Sequence, residues 1–294
     1  MRFVTYLKDG ATGLAVRKGS DLIDLEGCEL RALLATGQAG LQRVPDLALR
    51  GRLLDESKLV YLPPIVAPPK IICVGLNYRD HVNEAKRATP LHPTFFVRFT
   101  RSLIAHGQPL VRPVVSEQFD FEGEVAVVIG RTGRHISKDD ALDHIAGYSV
   151  FNDASVRDYQ RRGEQWTLGK NFDGTGAFGP EFVTADELPR GAKGLKLVTR
   201  LNGVVVQSAT IEEMIFDIPT LIASLSEVTT LEVGDVIVTG TPGGIGAART
   251  PKLFMKHGDV CEVEFEGVGI LRNPVRDETP SGSIRQQEDL VGHP

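Results

Sequence analysis

The sequence has few cysteines, and their number and spacing argue against several classes of protein. Only three occur in 294 residues, at Cys28, Cys73 and Cys261, and no two of them form a C-x-x-C pair. An odd number of widely separated cysteines indicates neither a disulfide framework nor a thiolate zinc site. We therefore expect reduced, mostly buried thiols in a cytoplasmic protein.

Long basic runs and long apolar runs are missing as well. The 33 Lys and Arg residues against 38 Asp and Glu residues give a formal net charge of −5, whereas a nucleic-acid binder needs a clustered basic face. No apolar signal region follows Met1, and glycines and Pro242 interrupt the uncharged stretch 236–248. A membrane-spanning helix needs about 20 apolar residues. We therefore expect a small-molecule partner, with no nucleic acid and no membrane.

A proline-rich connector divides the chain. Residues 62–69 include four prolines, which remove backbone donors and favour an extended link. Before it, short strand-like runs at 3–7, 13–16 and 21–25 and a helical segment at 29–34 predict a small N-terminal α+β domain over residues 1–65. After it, we predict a catalytic domain over residues 66–276. The polar, aperiodic segment 277–294 is predicted to be a mobile tail.

The predicted catalytic domain is rich in strands, so the expected fold class is a β-rich α+β fold. A hairpin is predicted over 192–206, because Asn202-Gly203 is a strong turn signal between β-branched runs. Asp217 as a cap and Pro219 in the first turn predict a helix over 218–228. The other strand-like segments are 70–76, 122–130, 145–152, 231–239 and 260–265, and a short helix is expected over 78–87.

Three carboxylates are candidate metal ligands. Glu122 and Glu124 lie in an otherwise apolar strand-like segment, where a period of two places both on the same face. Buried like charges at that distance need a cation or a proton. Asp153 follows another apolar strand, and an all-oxygen ligand set favours Mg²⁺, Mn²⁺ or Ca²⁺. Alternatively, the two glutamates form an exposed strand face and Asp153 caps a turn.

His81 and Glu84 form a second candidate pair. Positions i and i+3 of a helix share a face, so the carboxylate can orient and polarise the imidazole. Such a pair can take a proton from water near neutral pH. The alternative is an ordinary surface histidine beside a surface glutamate.

Two cations and a glycine-rich run complete the candidate site. Arg157 and Lys170 follow Asp153 in loop-like sequence and can bind a carboxylate and stabilise an enolate. Trp166 lies between them, in a segment that is predicted to close on substrate. The alternative is that this segment is an ordinary solvated loop. The run 240–246 has neither a P-loop ending nor G-x-G-x-x-G spacing. We predict instead that its backbone N–H groups and Thr241 hold a substrate anion.

Together these segments resemble the fumarylacetoacetate hydrolase family. The resemblance runs from Lys70 to Pro274, and the N-terminal unit looks like the small domain of many bacterial members. It is carried by the strings VGLNYRDHVNE (74–84), DFEGEVAVVIG (120–130), GYSVFND (147–153), RDYQ (157–160), GK (169–170) and GDVIVTGTPGGIG (234–246).

The resemblance implies a mixed β-sandwich roll, usually a homodimer, with Mg²⁺ or Mn²⁺ on the three carboxylates. By the same resemblance, His81 with Glu84 is the catalytic dyad and Lys170 stabilises the transition state. It further implies substrate contacts at Tyr78, Arg157, Gln160 and Thr241. The chain departs from the family pattern where many members have a lysine and a serine, since it has Arg98 and Asn171, and its segment 172–178 is rich in glycine.

Three functions follow as hypotheses. The first is a metal-dependent hydrolase of aromatic-compound catabolism, which cleaves a carbon–carbon bond in a 2,4-dioxo acid such as an acylpyruvate. His81 would deprotonate the attacking water, and the ion would chelate the 2-oxo-carboxylate end of the substrate. The second is a decarboxylase or isomerase of a 2-oxo acid of the oxaloacetate or oxo-heptenedioate type on the same metal site. The third is a non-catalytic small-molecule binding protein.

Overall fold

Strands dominate the computed structural model, which describes residues 1–279. They are β1 Arg2–Lys8, β2 Ala11–Lys18, β3 Asp21–Asp24, β4 Leu53–Leu54, β5 Val60–Tyr61, β6 Ile71–Gly75, β7 Thr94–Val97, β8 Leu103–Ile104, β9 Leu110–Arg112, β10 Phe119–Asp120, β11 Gly123–Ile129, β12 Ile145–Asp153, β13 Ser155–Val156, β14 Gly176–Thr184, β15 Lys196–Leu201, β16 Val204–Thr210, β17 Val236–Val238, β18 Val260–Phe265 and β19 Gly269–Asp277. The α-helices are α1 Leu30–Ala35, α2 Gln38–Gln42, α3 Val44–Arg50, α4 Arg79–Glu84, α5 Arg157–Gln160, α6 Thr167–Lys170 and α7 Ile218–Val228. The predicted β-rich α+β class is therefore confirmed.

A mixed twelve-stranded sheet organises the chain. Its strand order is β4-β3-β2-β1-β14-β12-β11-β17-β6-β7, with β5 paired to β1 and β8 paired to β14. A five-stranded sheet, β16-β15-β18-β19-β9, packs against β11, β12 and β14. Strands β10 and β13 form a separate two-stranded ladder.

The centre of the large sheet is buried on both faces. All seven residues of β11 are buried, and its side chains alternate between two hydrophobic cores. Val125, Val127 and Ile129 belong to one core, whereas Ala126 and Val128 belong to the other. This arrangement explains the nearly continuous apolar run, because a strand that is covered on both sides has no polar face.

The N-terminal strands extend the same large sheet. The three predicted strands and the first predicted helix occur, and β1 pairs antiparallel with β14 through Phe3 and Phe182. The division into domains at residues 65 and 66 stays a prediction. At the other end, β19 continues to Asp277, whose carboxylate accepts a hydrogen bond from Arg112 at 2.6 Å. Residues 280–294 of the predicted tail lie outside the described residues.

Elements with strong local signals lie close to their predicted positions. Helix α7 spans Ile218–Val228 as predicted, and the Asp217 side chain accepts a hydrogen bond from the Thr220 amide at 2.9 Å. The hairpin turns at Asn202-Gly203, although its strands run from 196 to 210 instead of 192 to 206. The strand predicted over 231–239 is only Val236–Val238, because a turn with Gly234 at a φ of +90° precedes it.

Among residues 1–279, no helix is both long enough and apolar enough to cross a membrane.

Candidate active site

The three predicted metal ligands meet where β11 and β12 lie side by side. Gly123 is paired with Asn152 in this antiparallel ladder, so Glu122 and Glu124 flank the end of the strand that carries Asp153. One carboxylate oxygen from each of the three residues lies within 4.8 Å of the others. The residues are 4%, 1% and 0% exposed. The predicted common face of the two glutamates is therefore present, and it is buried rather than solvated.

Gly123 permits this arrangement by its lack of a side chain. A Cβ at this position would lie 2.1 Å from Thr199 Oγ1 and 2.9 Å from a methyl carbon of Val263. Both residues belong to the five-stranded sheet, β15 and β18 respectively. The second sheet can thus approach the ligand-bearing end of β11 closely only where the chain has a glycine.

Three buried cations contact the carboxylate cluster. Lys170 Nζ donates to Glu122 Oε2 at 2.6 Å and also to a carboxylate oxygen of Asp153. Arg157 pairs with Glu122 Oε1 at 2.6 Å, and its Nε donates to Asp120 at 2.8 Å. Burial alone would lower the pKa of Lys170, but the carboxylates of Asp153 and Glu122 outweigh burial and raise it.

Arg98 is the third cation, and its role was not predicted. Its guanidinium pairs with Asp153, and it also donates to Thr175 Oγ1 at 2.6 Å and to Ser102 Oγ at 3.2 Å. In the sequence, Arg98 stands out only as a departure from the lysine that many family members have there. The buried contact with Asp153 joins residues 55 positions apart, so no local pattern could reveal it.

The electrostatics of the cluster fit a divalent cation. Burial would raise the pKa of Glu122, but Lys170 and Arg157 hold it well below its usual range. Burial together with the neighbouring Asp153 and Glu122 carboxylates raises the pKa of Glu124 well above its usual value, and among residues 1–279 Glu124 has no salt bridge. Within the described part of the chain, Glu124 is thus the member of the cluster without a paired cation. Three oxygen ligands without His or Cys suit Mg²⁺ or Mn²⁺.

The predicted dyad lies on α4 beside this cluster. His81 Nδ1 is 2.9 Å from Glu84 Oε1, and His81 is buried except for its edge on the cavity. The other oxygen of Glu84 accepts a hydrogen bond from the Gly244 amide at 2.7 Å. Because both carboxylate oxygens are held, Glu84 fixes the ring orientation of His81 and leaves Nε2 as the atom for proton transfer.

A cavity of about 310 Å³ joins the dyad to the carboxylates. Of the predicted substrate contacts, Arg157, Gln160 and Thr241 line it, as does Lys170. Tyr78 does not; it lines a neighbouring cavity of about 290 Å³, which shares Glu84 with the first. Three of the four predicted substrate contacts are therefore brought together with the dyad and the lysine.

The glycine-rich run has a different role from the predicted one. Its amide groups donate to the protein's own carboxylates: Gly240 to Glu124 at 2.5 Å, Gly244 to Glu84, and Gly246 to Asp120 at 2.8 Å. The prediction that these amides hold a substrate anion is therefore wrong for the three donors. These three buried or half-buried carboxyl groups already accept the amide hydrogens that a ligand would need, as buried polar groups generally do. The run instead connects Glu84 of the dyad with Glu124 of the carboxylate cluster.

The cavity wall also includes a packed tryptophan and a leucine with a strained backbone. Trp166 lines the cavity and packs edge-on against Phe96, with ring centroids 5.4 Å apart. Leu76, also on the wall, has a φ of +57°, a strained conformation for a residue with a branched side chain. Such strain persists where the surrounding structure imposes it, often at functional sites.

The fold and the buried acidic site define an enzyme class, and the chain belongs to the fumarylacetoacetate hydrolase family. Residues 70–276 match the family model described as fumarylacetoacetate (FAA) hydrolase C-terminal. The resemblance deduced from the sequence is thereby confirmed.

Its relatives include enzymes with more than one activity. The mitochondrial oxaloacetate tautomerase FAHD2A of Homo sapiens is 40% identical over 273 residues, which cover 90% of this chain and 86% of that protein. The crystal structure of a fumarylacetoacetate hydrolase from Exiguobacterium antarcticum has a TM-score of 0.84 at 33% identity, and covers 95% of this chain and 100% of its own. A maleylpyruvate hydrolase from Sphingobium sp. SYK-6, solved in complex with manganese(II) and pyruvate, has a TM-score of 0.80 at 25% identity over the same shares.

Proposed function

We propose that this protein is a divalent-metal-dependent enzyme that interconverts the keto and enol forms of a 2-oxo acid, with oxaloacetate as the first compound to test. The observation that carries the proposal is the convergence of the His81–Glu84 pair and the carboxylate cluster on one cavity. Relatives named as oxaloacetate tautomerases, 38–41% identical over about nine tenths of this chain, support the reaction class.

Glu122, Glu124 and Asp153 would hold the ion. When bound, Mg²⁺ or Mn²⁺ supplies Lewis-acid polarisation of the 2-oxo carbonyl. Lys170 and Arg157 lie against the same carboxylates and line the cavity, so they are placed to bind the substrate carboxylate and to stabilise the charge that develops on the C2 oxygen. Fixed donors of this kind contribute about 3–4 kcal/mol each to transition-state stabilisation.

His81 is the proton-transfer group of this reaction. Its Nε2 would take the proton from C3 of the keto form, while the C3–H electron pair forms the C2=C3 double bond and the carbonyl electron pair moves to the C2 oxygen. The proton held at His81 Nε2 then returns to that oxygen and completes the enol, and the reverse sequence regenerates the ketone. General acid–base catalysis of this kind is worth about 10²–10⁴-fold in rate.

The test is the rate of tautomerisation of oxaloacetate in the presence of Mg²⁺ or Mn²⁺. We expect the purified protein to accelerate the decay of the enol absorbance, and His81→Ala to lower kcat by about 10²–10⁴-fold. Asn83→Ala on the same helix is the matched control, because Asn83 is exposed and does not line the cavity. Full activity of His81→Ala, or no acceleration by the wild type on any 2-oxo acid, would refute the proposal.

Hydrolysis of a 2,4-dioxo acid is the second candidate, and decarboxylation shares the same site. The specific observation in favour of hydrolysis is that the dyad borders a cavity roomy enough for a water beside a substrate, as the hydrolase hypothesis requires. The products separate the three reactions. Malate dehydrogenase traps keto-oxaloacetate, lactate dehydrogenase detects pyruvate from decarboxylation, and a released carboxylic acid indicates hydrolysis.

The remaining expectations from the sequence stay predictions. They are a cytoplasmic location, a homodimer, a role in aromatic-compound catabolism, and substrate contacts at Tyr78, Arg157, Gln160 and Thr241.

A further inference from the structure

We propose that Arg87 and Arg161 form a second anion subsite at the mouth of the cavity, which binds the distal carboxylate of a dicarboxylic 2-oxo acid. This inference rests on the proposed function, whose reaction centre lies deeper in the same cavity. It names the residues that would distinguish acids with a second carboxylate at the far end from monocarboxylic 2-oxo acids.

The two arginines differ from the other cations of the cavity in their partners. Lys170 and Arg157 each contact buried carboxylates, whereas Arg87 and Arg161 line the same cavity and are exposed. Within residues 1–279, neither exposed arginine forms a salt bridge or a side-chain hydrogen bond. Their charge is therefore available to a ligand, and a guanidinium can bind a carboxylate through two parallel hydrogen bonds.

The formal charges of the buried site also call for these two cations. Five carboxylates face three cations, so the site carries −5 + 3 = −2, and a divalent ion would make it 0; the groups are Glu84, Asp120, Glu122, Glu124 and Asp153 with Arg98, Arg157 and Lys170. The two carboxylates of a dicarboxylic substrate add −2 to this neutral site. Arg87 and Arg161 supply the matching +2, and an uncompensated charge in such a site is costly.

The chain places each arginine shortly after residues that line the cavity. Helix α4 carries His81 and ends at Glu84, three residues before Arg87. Helix α5 begins with Arg157 and ends at Gln160, directly before Arg161. Each arginine therefore lies just beyond the end of a short helix whose residues line the same cavity. A subsite for the far end of a small substrate needs this proximity to the reaction centre.

The experiment compares two ligands that differ only in the distal carboxylate. Malate and 2-hydroxybutanoate are titrated into the Mg²⁺-loaded protein, with the fluorescence of Trp166 as the readout, because it is the only tryptophan and lines the cavity. For Arg87→Gln/Arg161→Gln we expect an increase of about tenfold in the Kd of malate, or about 1.4 kcal/mol, and no change for 2-hydroxybutanoate. In kinetics, KM for oxaloacetate rises while KM for phenylpyruvate, a monocarboxylic 2-oxo acid, is unchanged.

The matched control is Lys86→Gln/Arg162→Gln, which removes the same charge next to each test residue. Neither Lys86 nor Arg162 lines the cavity, so we expect both dissociation constants to stay at their wild-type values. The inference is overturned if the wild type binds malate no more tightly than 2-hydroxybutanoate, or if the test variant weakens both ligands equally. If the malate effect is selective but the wild type tautomerises neither 2-oxo acid, the subsite stands and the proposed function fails.

Discussion

Asp120 is a buried carboxylate beside the carboxylate cluster, and its replacement should cost much stability. It is fully buried and accepts four hydrogen bonds. Oδ1 accepts from the amides of Phe121 at 2.9 Å and Gly246 at 2.8 Å, and Oδ2 accepts from the amide of Ala247 at 2.9 Å and from Arg157 Nε at 2.8 Å. In Asp120→Asn, the Oδ1 contacts can persist, but an NH₂ group replaces Oδ2 and faces two donors.

The expected loss follows from these contacts. Hydrogen bonds to a charged group are worth about 1.5–3 kcal/mol each, and removal of one partner of a buried ion pair costs about 3–5 kcal/mol. We therefore expect Asp120→Asn to lower the free energy of unfolding by about 3–5 kcal/mol, a large part of the roughly 5–15 kcal/mol of a typical protein. The loop loses its anchor at Ala247, whose amide donates to Oδ2 and which lines the cavity, so kcat should fall as well.

The assay is urea unfolding at a fixed Mg²⁺ concentration, because metal binding itself changes stability. Asp173→Asn is the control: Asp173 is exposed and pairs with exposed Arg101 at 3.2 Å, so its loss should cost at most about 1 kcal/mol. Surface ion pairs contribute at most about 1 kcal/mol. If the free energy of unfolding of Asp120→Asn differs from that of the wild type by no more than this amount, Asp120 does not anchor the loop as described.

Three further predictions concern other parts of the molecule. In Gly75→Ala the new Cβ would lie 2.0 Å from a ring carbon of Trp166, so we expect a shifted tryptophan emission maximum and a stability loss of about 1–3 kcal/mol, and an unchanged spectrum would contradict this. Mn²⁺ at about 100 times its Kd should add about 2.7 kcal/mol to the stability of the wild type but much less to that of Glu124→Gln, which differential scanning calorimetry can measure; equal gains would argue against Glu124 as a ligand. Burial lowers the pKa of folded His106, whereas an unfolded histidine titrates at about 6.5, so the unfolded chain takes up the proton first as the pH falls below that value. The wild type should then lose stability relative to His106→Asn in urea unfolding at pH 5, and parallel pH profiles would count against it.

Local signals in the sequence were sufficient for many elements of the fold. The Asp217 cap and Pro219 mark the start of α7, and Asn202-Gly203 marks the turn of a hairpin. Both signals depend only on residues that are neighbours in sequence. The period of two in β11 likewise predicted that Glu122 and Glu124 share a face. The burial of that face could not be read from the strand alone, because it depends on distant residues such as Lys170 and Gly240, which contact Glu122 and Glu124.

Contacts between distant parts of the chain were beyond the reach of sequence patterns. The pairing of β1 with β14 joins Phe3 to Phe182, and the contact of Arg98 with Asp153 depends on how two separate strands align. The glycine-rich run was recognised as important, but its partners were predicted wrongly. Its amides reach Asp120, more than a hundred residues earlier, and only the folded topology brings the two together.

The double burial of β11 has a consequence for the way the site binds its ion. A strand covered on both faces exchanges its amide hydrogens only when the whole structure opens, so the backbone that carries Glu124 is already ordered before any ligand arrives. Ordering a residue costs about 1–2 kcal/mol of backbone entropy, and here that cost is met during folding. No part of the ion-binding free energy is then spent on ordering this backbone. The backbone positions of the ligands are already set in the folded protein before the ion binds.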